Sequence, residues 1–186
     1  GLRCVLADFG CAKHLRDDDL EESSPNVCSL AYRAPELLFG STQYTNAVDI
    51  WAFGCVIADV FIGSGPRLFE ANRSERLNPS SDVCSEDQLL VLLRSMGTPN
   101  QAELVAMNPS LTDSELMFSW LKMTPLPRKL STDWRQRLRC TPCMMGAGQL
   151  ERATPFFHLL EDIFQFTPQS RPRARQLREY ELFRSG

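Results

Sequence analysis

One apolar run limits what this chain can fold into more than any other feature. From Ala47 to Ile62 the only charges are Asp49 and Asp59. The run is too short to span a bilayer comfortably. It predicts a helix buried on nearly all sides, with Thr45 as a candidate N-cap and Gly63 as a candidate stop. At ~1.5 Å per residue that helix is about 25 Å long, the diameter of a small lobe.

The rest of the chain supplies material for one such lobe. With 186 residues, 43% hydrophobic and 23% charged, it reads as one globular domain with a sizeable core. The net charge of -3 leaves no electrostatic footprint for nucleic acid, and no basic stripe carries interleaved aromatics. No stretch reads as a membrane span. The opening Gly1-Leu2-Arg3-Cys4 lacks the regions of a signal peptide and an initiator Met, which leads us to expect residues upstream. Seven cysteines, an odd number, lie scattered. They are expected to be reduced, in a cytoplasmic or nuclear setting. Cys140-Thr141-Pro142-Cys143 has no second pair of ligands nearby and reads as loop.

Arg3 to Ala7 is a short apolar run, expected as a strand, broken by Asp8-Phe9-Gly10. Residues 11 to 34 read as a long loop carrying the acids Asp17, Asp18, Asp19, Glu21 and Glu22. Pro35 to Phe39 reads as a short helix begun by proline. Gly63 to Ser85 is rich in Gly, Pro, Asn and Ser and reads as loop. Glu86 to Met96 is amphipathic on Leu89, Leu90, Leu92 and Leu93, and Gly97-Thr98-Pro99 ends it. Residues 100 to 153 are expected to be irregular with short helical pieces. Phe156 to Phe166 and Arg173 to Phe183 read as the last two helices. The fold class is therefore mainly α.

Four motifs follow one another in order. Asp8-Phe9-Gly10 comes first, then Ala34-Pro35-Glu36, then Asp49-x-Trp51-x-x-Gly54 on the apolar helix, then Arg171 before the final helix. A single tripeptide is weak evidence, but the order and spacing together are specific. In this respect the chain resembles the C-terminal part of a eukaryotic-type protein Ser/Thr kinase domain. The resemblance implies a kinase C-lobe without the N-lobe. Residues 1–40 would form the activation segment, and residues 41–186 a helical lobe with an insert at about 97–153. It implies ATP and Mg²⁺ as cofactors and protein substrates as partners.

The residue roles follow from the resemblance. Asp8 would be the catalytic metal ligand, a hard carboxylate for Mg²⁺, with Phe9 and Gly10 completing the nucleotide side and Gly10 letting the backbone turn. Glu36 and Arg171 would form a buried ion pair that anchors the segment, since the guanidinium fork suits a carboxylate. Asp49 resembles a buried aspartate that bonds to the backbone of a catalytic loop. Trp51 and Gly54 would be packing positions. Ser29-Leu30-Ala31-Tyr32-Arg33-Ala34 resembles the substrate loop of Ser/Thr kinases, with Ser29 and Arg33 on the substrate side.

The resemblance narrows further. Tyr32 to Gly40, Tyr44-Thr45, Gly54-Cys55-Val56, Asp87-Gln88-Leu89, Gly97-Thr98-Pro99 and Met107-Asn108-Pro109 are similar to glycogen synthase kinase 3, of the CMGC group. Kinases of that type prefer substrates already phosphorylated a few residues C-terminal to the target. Lys13 stands where their pocket lysine does. A scaffold protein would dock near the helix at 86–96. The chain also departs from the pattern. Asn26 stands where the activating tyrosine is expected, and Leu30 and Ala31 replace a basic residue and a tyrosine. Residues 70 to 85 look like an insertion. The acids at 17 to 22 could stand in for the missing phosphate by pairing with arginines.

The 186 residues contain no Gly-rich loop, no ATP-anchoring lysine and no catalytic-loop Asp and Asn, so by itself the chain is expected to be inactive. The alternative is a non-catalytic scaffold or pseudokinase lobe, which retention of Asp8 argues against. An unrelated helical binding domain would need all four motifs to have arisen by chance.

Overall fold

The computed structural model describes residues 5–13, 24, 27–62, 67–70, 84–107, 126–127 and 154–184. In chain order its helices are α1 (Pro35–Leu38), α2 (Ala47–Ile62), α3 (Ser85–Met96), α4 (Gln101–Ala106), α5 (Thr154–Ile163), α6 (Ala174–Leu177) and α7 (Glu181–Arg184). Among the described residues there are also three 3₁₀ turns, Phe9–Cys11, Leu30–Tyr32 and Pro168–Ser170. None of these helices is long and apolar enough to cross a membrane.

Helix α2 has the expected bounds, Ala47–Ile62, and its start is marked locally. The Thr45 hydroxyl accepts the Ala47 N–H at 3.3 Å, satisfying one of the first-turn donors. Trp51 and Ala58 on α2 are fully buried. One stripe is not: Val56 is 49% and Val60 70% exposed. The described residues pack α2 from one side, through α5, the turn Leu30–Tyr32 and the turn Pro168–Ser170. The expectation of burial all round is corrected accordingly. Asp49 is likewise exposed, on the open side.

Helix α2 and the end of α5 approach closely in the core. A Cβ on Gly54 would sit 2.5 Å from Ile163 Cγ2 and 3.1 Å from the Phe164 ring. Glycine lets the α2 backbone lie directly on these side chains. Around it the aromatics interlock. Trp51 stacks on Phe69 at 5.6 Å and meets Phe164 edge-on at 4.8 Å, while Phe61 stacks on Phe156 at 4.1 Å. These offset and edge-on geometries suit ring quadrupoles.

Helix α3 packs against α1, with its four leucines buried as well as Val91 and Met96. Asp87 Oδ2 accepts the Cys84 N–H at 3.2 Å to cap its start. Gly97 ends it at φ 88, a backbone region that side chains rarely adopt, and its N–H closes on Leu93 O at 2.7 Å. Helix α4 carries a complete capping box, Asn100 with Glu103, at 2.7 and 3.0 Å.

Three expected elements differ. Residues 5–7 form no strand; a strand needs a ladder partner, and none is present among the described residues. The helix expected over Phe156 to Phe166 runs Thr154–Ile163, because Phe164 and Phe166 turn into the core. The helix expected over Arg173 to Phe183 is two short ones, α6 and α7. Tyr180 breaks it, turning aside to donate to Asp162. The insertion at 71–83, Cys140 and Cys143 lie outside the described residues.

Gly54→Ala is expected to cost about 1–3 kcal/mol by overpacking, read as a lower urea midpoint at unchanged m-value. An unchanged midpoint would show that α2 and α5 do not approach this closely.

Candidate functional site

The site is best followed from its deepest residue outward. Helix α1 begins with Pro35 at its first position, where the missing N–H costs nothing. This places Glu36 in the first turn, with 2% of its side chain exposed. Arg171, with its side chain fully buried, leaves the turn Pro168–Ser170 and meets Glu36. Nη1 donates to Oε1 and Nη2 to Oε2, each at 2.7 Å. The same guanidinium donates to the carbonyls of Gln165 at 2.9 Å, Ala47 at 3.0 Å and Phe166 at 3.3 Å. It also lies 5.1 Å from the Trp51 ring centroid. Each donor direction of the fork meets an acceptor, which makes burial of the charge tolerable. Residues 36 and 171 thus meet across 135 positions of sequence.

The pair fixes α1, and α1 fixes the loop that enters it. Between 27 and 34 the only regular feature is the turn Leu30–Tyr32, closed by Tyr32 N–H to Ser29 O at 3.0 Å and Arg33 N–H to Leu30 O at 3.1 Å. Arg33 is 8% exposed and holds the loop from beneath. Its Nε donates to Val27 O at 3.2 Å, Nη2 to Cys28 O at 3.1 Å, and Nη1 to Ser85 Oγ at 3.2 Å on α3. This buried guanidinium therefore faces the loop's own carbonyls, whereas the sequence reading put it on the substrate side. Cys28 takes a left-handed conformation, φ 56, and Ser29 after it is exposed.

Tyr32 ties the other end of the loop to α2. Its hydroxyl donates to Asp59 Oδ2 at 2.9 Å. Burial, and then the Asp59 carboxylate, push the phenol above its ordinary range, so it keeps its proton and continues to donate. The other oxygen of Asp59 accepts the Leu68 N–H at 3.3 Å. Sequence reading missed Asp59 as an anchor, although a second acid inside an apolar run was the available signal.

The outer part of the site is solvent-facing. Asp8 is exposed and sits at φ 61, ψ 68. The left-handed turn thus falls on Asp8 and not on Gly10; aspartate tolerates that region better than most residues. Phe9 is 67% exposed. Lys13 is exposed, with its ammonium 5.6 Å from the Tyr44 ring centroid, and the Tyr44 hydroxyl donates to Ser24 O at 3.2 Å. Tyr44 thus lies beside both ends of the stretch 13–24. Asn26 and the acids at 17–22 lie outside the described residues.

Among the described residues no group of three His, Cys, Asp or Glu gathers to hold a metal. Asp8 offers one hard oxygen ligand. That fits Mg²⁺, which takes one or two carboxylates and fills its octahedron with phosphate oxygens and water. It does not fit a structural zinc site.

Comparison with known proteins bears on what this arrangement is for. Residues 3–183 match the family described as the protein kinase domain. The chain is 34% identical over 147 residues to a protein of Saccharomyces cerevisiae named serine/threonine-protein kinase RIM11/MSD1. The matched stretch is 79% of this chain and 35% of the length of that relative.

Removing one member of the buried pair is expected to cost about 3–5 kcal/mol. Arg171→Met should cost more than Glu36→Gln, because it also removes the guanidinium donors that reach three backbone carbonyls. The double variant Glu36→Leu with Arg171→Met should recover only part of the loss. Chemical denaturation checks the order; equal losses, or full recovery, would contradict it.

Proposed function

The chain belongs to the protein kinase family, and from that membership we propose that it is the C-terminal lobe of a protein serine/threonine kinase of glycogen synthase kinase 3 type. The whole protein would transfer the γ-phosphate of ATP to Ser or Thr of protein substrates. The observation that carries this reading is the bidentate Glu36–Arg171 pair, with Arg33 above it, which holds the loop 27–34 in one shape over the lobe. A kinase needs such a platform, because phosphoryl transfer depends on positioning and electrostatics far more than on covalent chemistry.

Within this reading Asp8, with Phe9 and Gly10, faces the nucleotide and holds Mg²⁺. Mg²⁺ neutralises charge on the β- and γ-phosphates. Ser29 contacts the reacting end of the substrate. Arg33 serves the substrate by shaping the loop, not by touching the acceptor. Lys13, held beside Tyr44, supplies positive charge for a phosphate already on the substrate. Asp49 is left to bond a catalytic loop, for which its exposure on α2 leaves room. The acids at 17–22 act in place of the missing loop tyrosine. A scaffold protein near α3 and a cytoplasmic or nuclear location complete the proposal.

The test uses two proteins, the 186-residue chain and the whole protein. The chain alone should transfer no phosphate. With Mg²⁺ and ATP, the whole protein should phosphorylate a serine peptide bearing phosphoserine a few residues C-terminal faster than its unphosphorylated twin. Lys13→Ala should narrow that preference, and Asp8→Asn should cut the rate about 10²-fold or more. Wild-type rates from Asp8→Asn, or transfer to tyrosine peptides alone, would overturn the reading.

A further inference from the structure

The segment that follows α2 turns back over it at Arg67–Glu70, held by two hydrogen bonds to its backbone and two buried side chains. Leu68 N–H reaches Asp59 Oδ1 at 3.3 Å. The Gln88 side-chain amide on α3 donates to the Phe69 carbonyl. Leu68 and Phe69 are 5% and 1% exposed, with the Phe69 ring against Trp51 and Phe164. Like that of Glu70, the Arg67 side chain leaves this anchored stretch and is exposed to water. Its guanidinium nevertheless lies over the Tyr32 ring, 5.3 Å from the centroid.

This contact closes a cycle. Arg67 covers the face of Tyr32, the Tyr32 hydroxyl donates to Asp59, and Asp59 accepts from the backbone of Leu68, the neighbour of Arg67. Asp59 has one oxygen for each side of the cycle. Without Arg67, Tyr32 keeps one polar tie at the tip of its ring and loses the tie on its face. Tyr32 also ends the turn Leu30–Tyr32, and its N–H donates to the carbonyl of Ser29. Any tilt of Tyr32 therefore passes directly to Ser29.

We propose that Arg67 is a positioning residue for substrate: it holds the loop 27–34 in register through Tyr32, without contacting substrate or nucleotide. The proposal rests on the kinase reading. It makes the segment after α2 a part of the acceptor platform, so a change in residues 67–70 is felt at Ser29.

The test is steady-state kinetics on the whole protein with the phosphoserine-bearing serine peptide. Arg67→Met keeps the aliphatic stem and removes the cation. It should raise the peptide KM about two- to fivefold, with the ATP KM and the Tm unchanged. Arg67→Lys should restore the peptide KM, since an ammonium also sits over a ring face. Tyr32→Leu should raise the peptide KM as well, and Arg67→Met added to it should have no further effect. An active wild type whose peptide KM is untouched by Arg67→Met overturns this inference alone. The same holds if Arg67→Met lowers Tm and shifts the peptide and ATP KM together, the mark of a merely structural residue. An inactive wild type overturns the kinase reading, and the inference with it.

Discussion

Most of this structure depends on one guanidinium. Arg171 joins the first turn of α1, the start of α2 and the chain after α5 through donations to Glu36, Ala47, Gln165 and Phe166. None of these segments is adjacent to Arg171 in a helix or a ladder. A buried ion pair adds little net stability over apolar packing, because desolvation offsets most of the attraction. It does impose geometry: a planar fork facing a planar carboxylate allows one approach, and the Trp51 ring beneath fixes the tilt. α1 has four residues, far too few to be stable as a helix alone. Its place is set by this pair and by its contact with α3.

A second arginine repeats the logic nearer the surface. Arg33 gathers two carbonyls of its own loop and a hydroxyl of α3. Irregular backbone needs such partners, since its carbonyls have no ladder or helix to satisfy them. α2 serves as the bar to which both regions are fastened. Its first residue offers a carbonyl to Arg171 and Asp59, near its far end, takes Tyr32. The length of α2 thus sets the distance between the Arg171 anchor at its start and the Tyr32 and Leu68 ties at Asp59.

What could be read in the sequence was whatever is periodic or capped. α2 and α3 stood out because sustained apolar periods and local caps are properties of contiguous residues. Glu36 and Arg171 could be paired only by resemblance, because no local pattern links positions so far apart. The capping box Asn100–Glu103 was legible but sat in a stretch expected to be mostly irregular. The break at Tyr180 was not legible. Arg173 to Phe183 has an acceptable helical composition, and the hydrogen bond that diverts it goes to Asp162 on another helix. Nor could the turn at Asp8 be read, since glycine at position 10 was the obvious candidate and tertiary context placed the left-handed residue two positions earlier.

The two halves of the site differ in how far this chain builds them. The loop 27–34 is held by side chains all contributed by described residues, Arg33, Tyr32, Asp59 and Arg67, so its shape is encoded here. Asp8 is different. It is one exposed carboxylate in a left-handed turn, and no metal-binding cluster gathers around any acid among the described residues. A magnesium ion taken by Asp8 must draw its other oxygens from phosphates, water or groups elsewhere. On the proposed kinase reading, affinity for the metal would depend on the nucleotide being there, whereas the loop 27–34 is organised by this chain's own side chains. On that reading, a pre-formed acceptor loop combined with a metal site completed by the nucleotide would suit transfer to protein hydroxyls, because positioning lowers the barrier only if it precedes the chemical step.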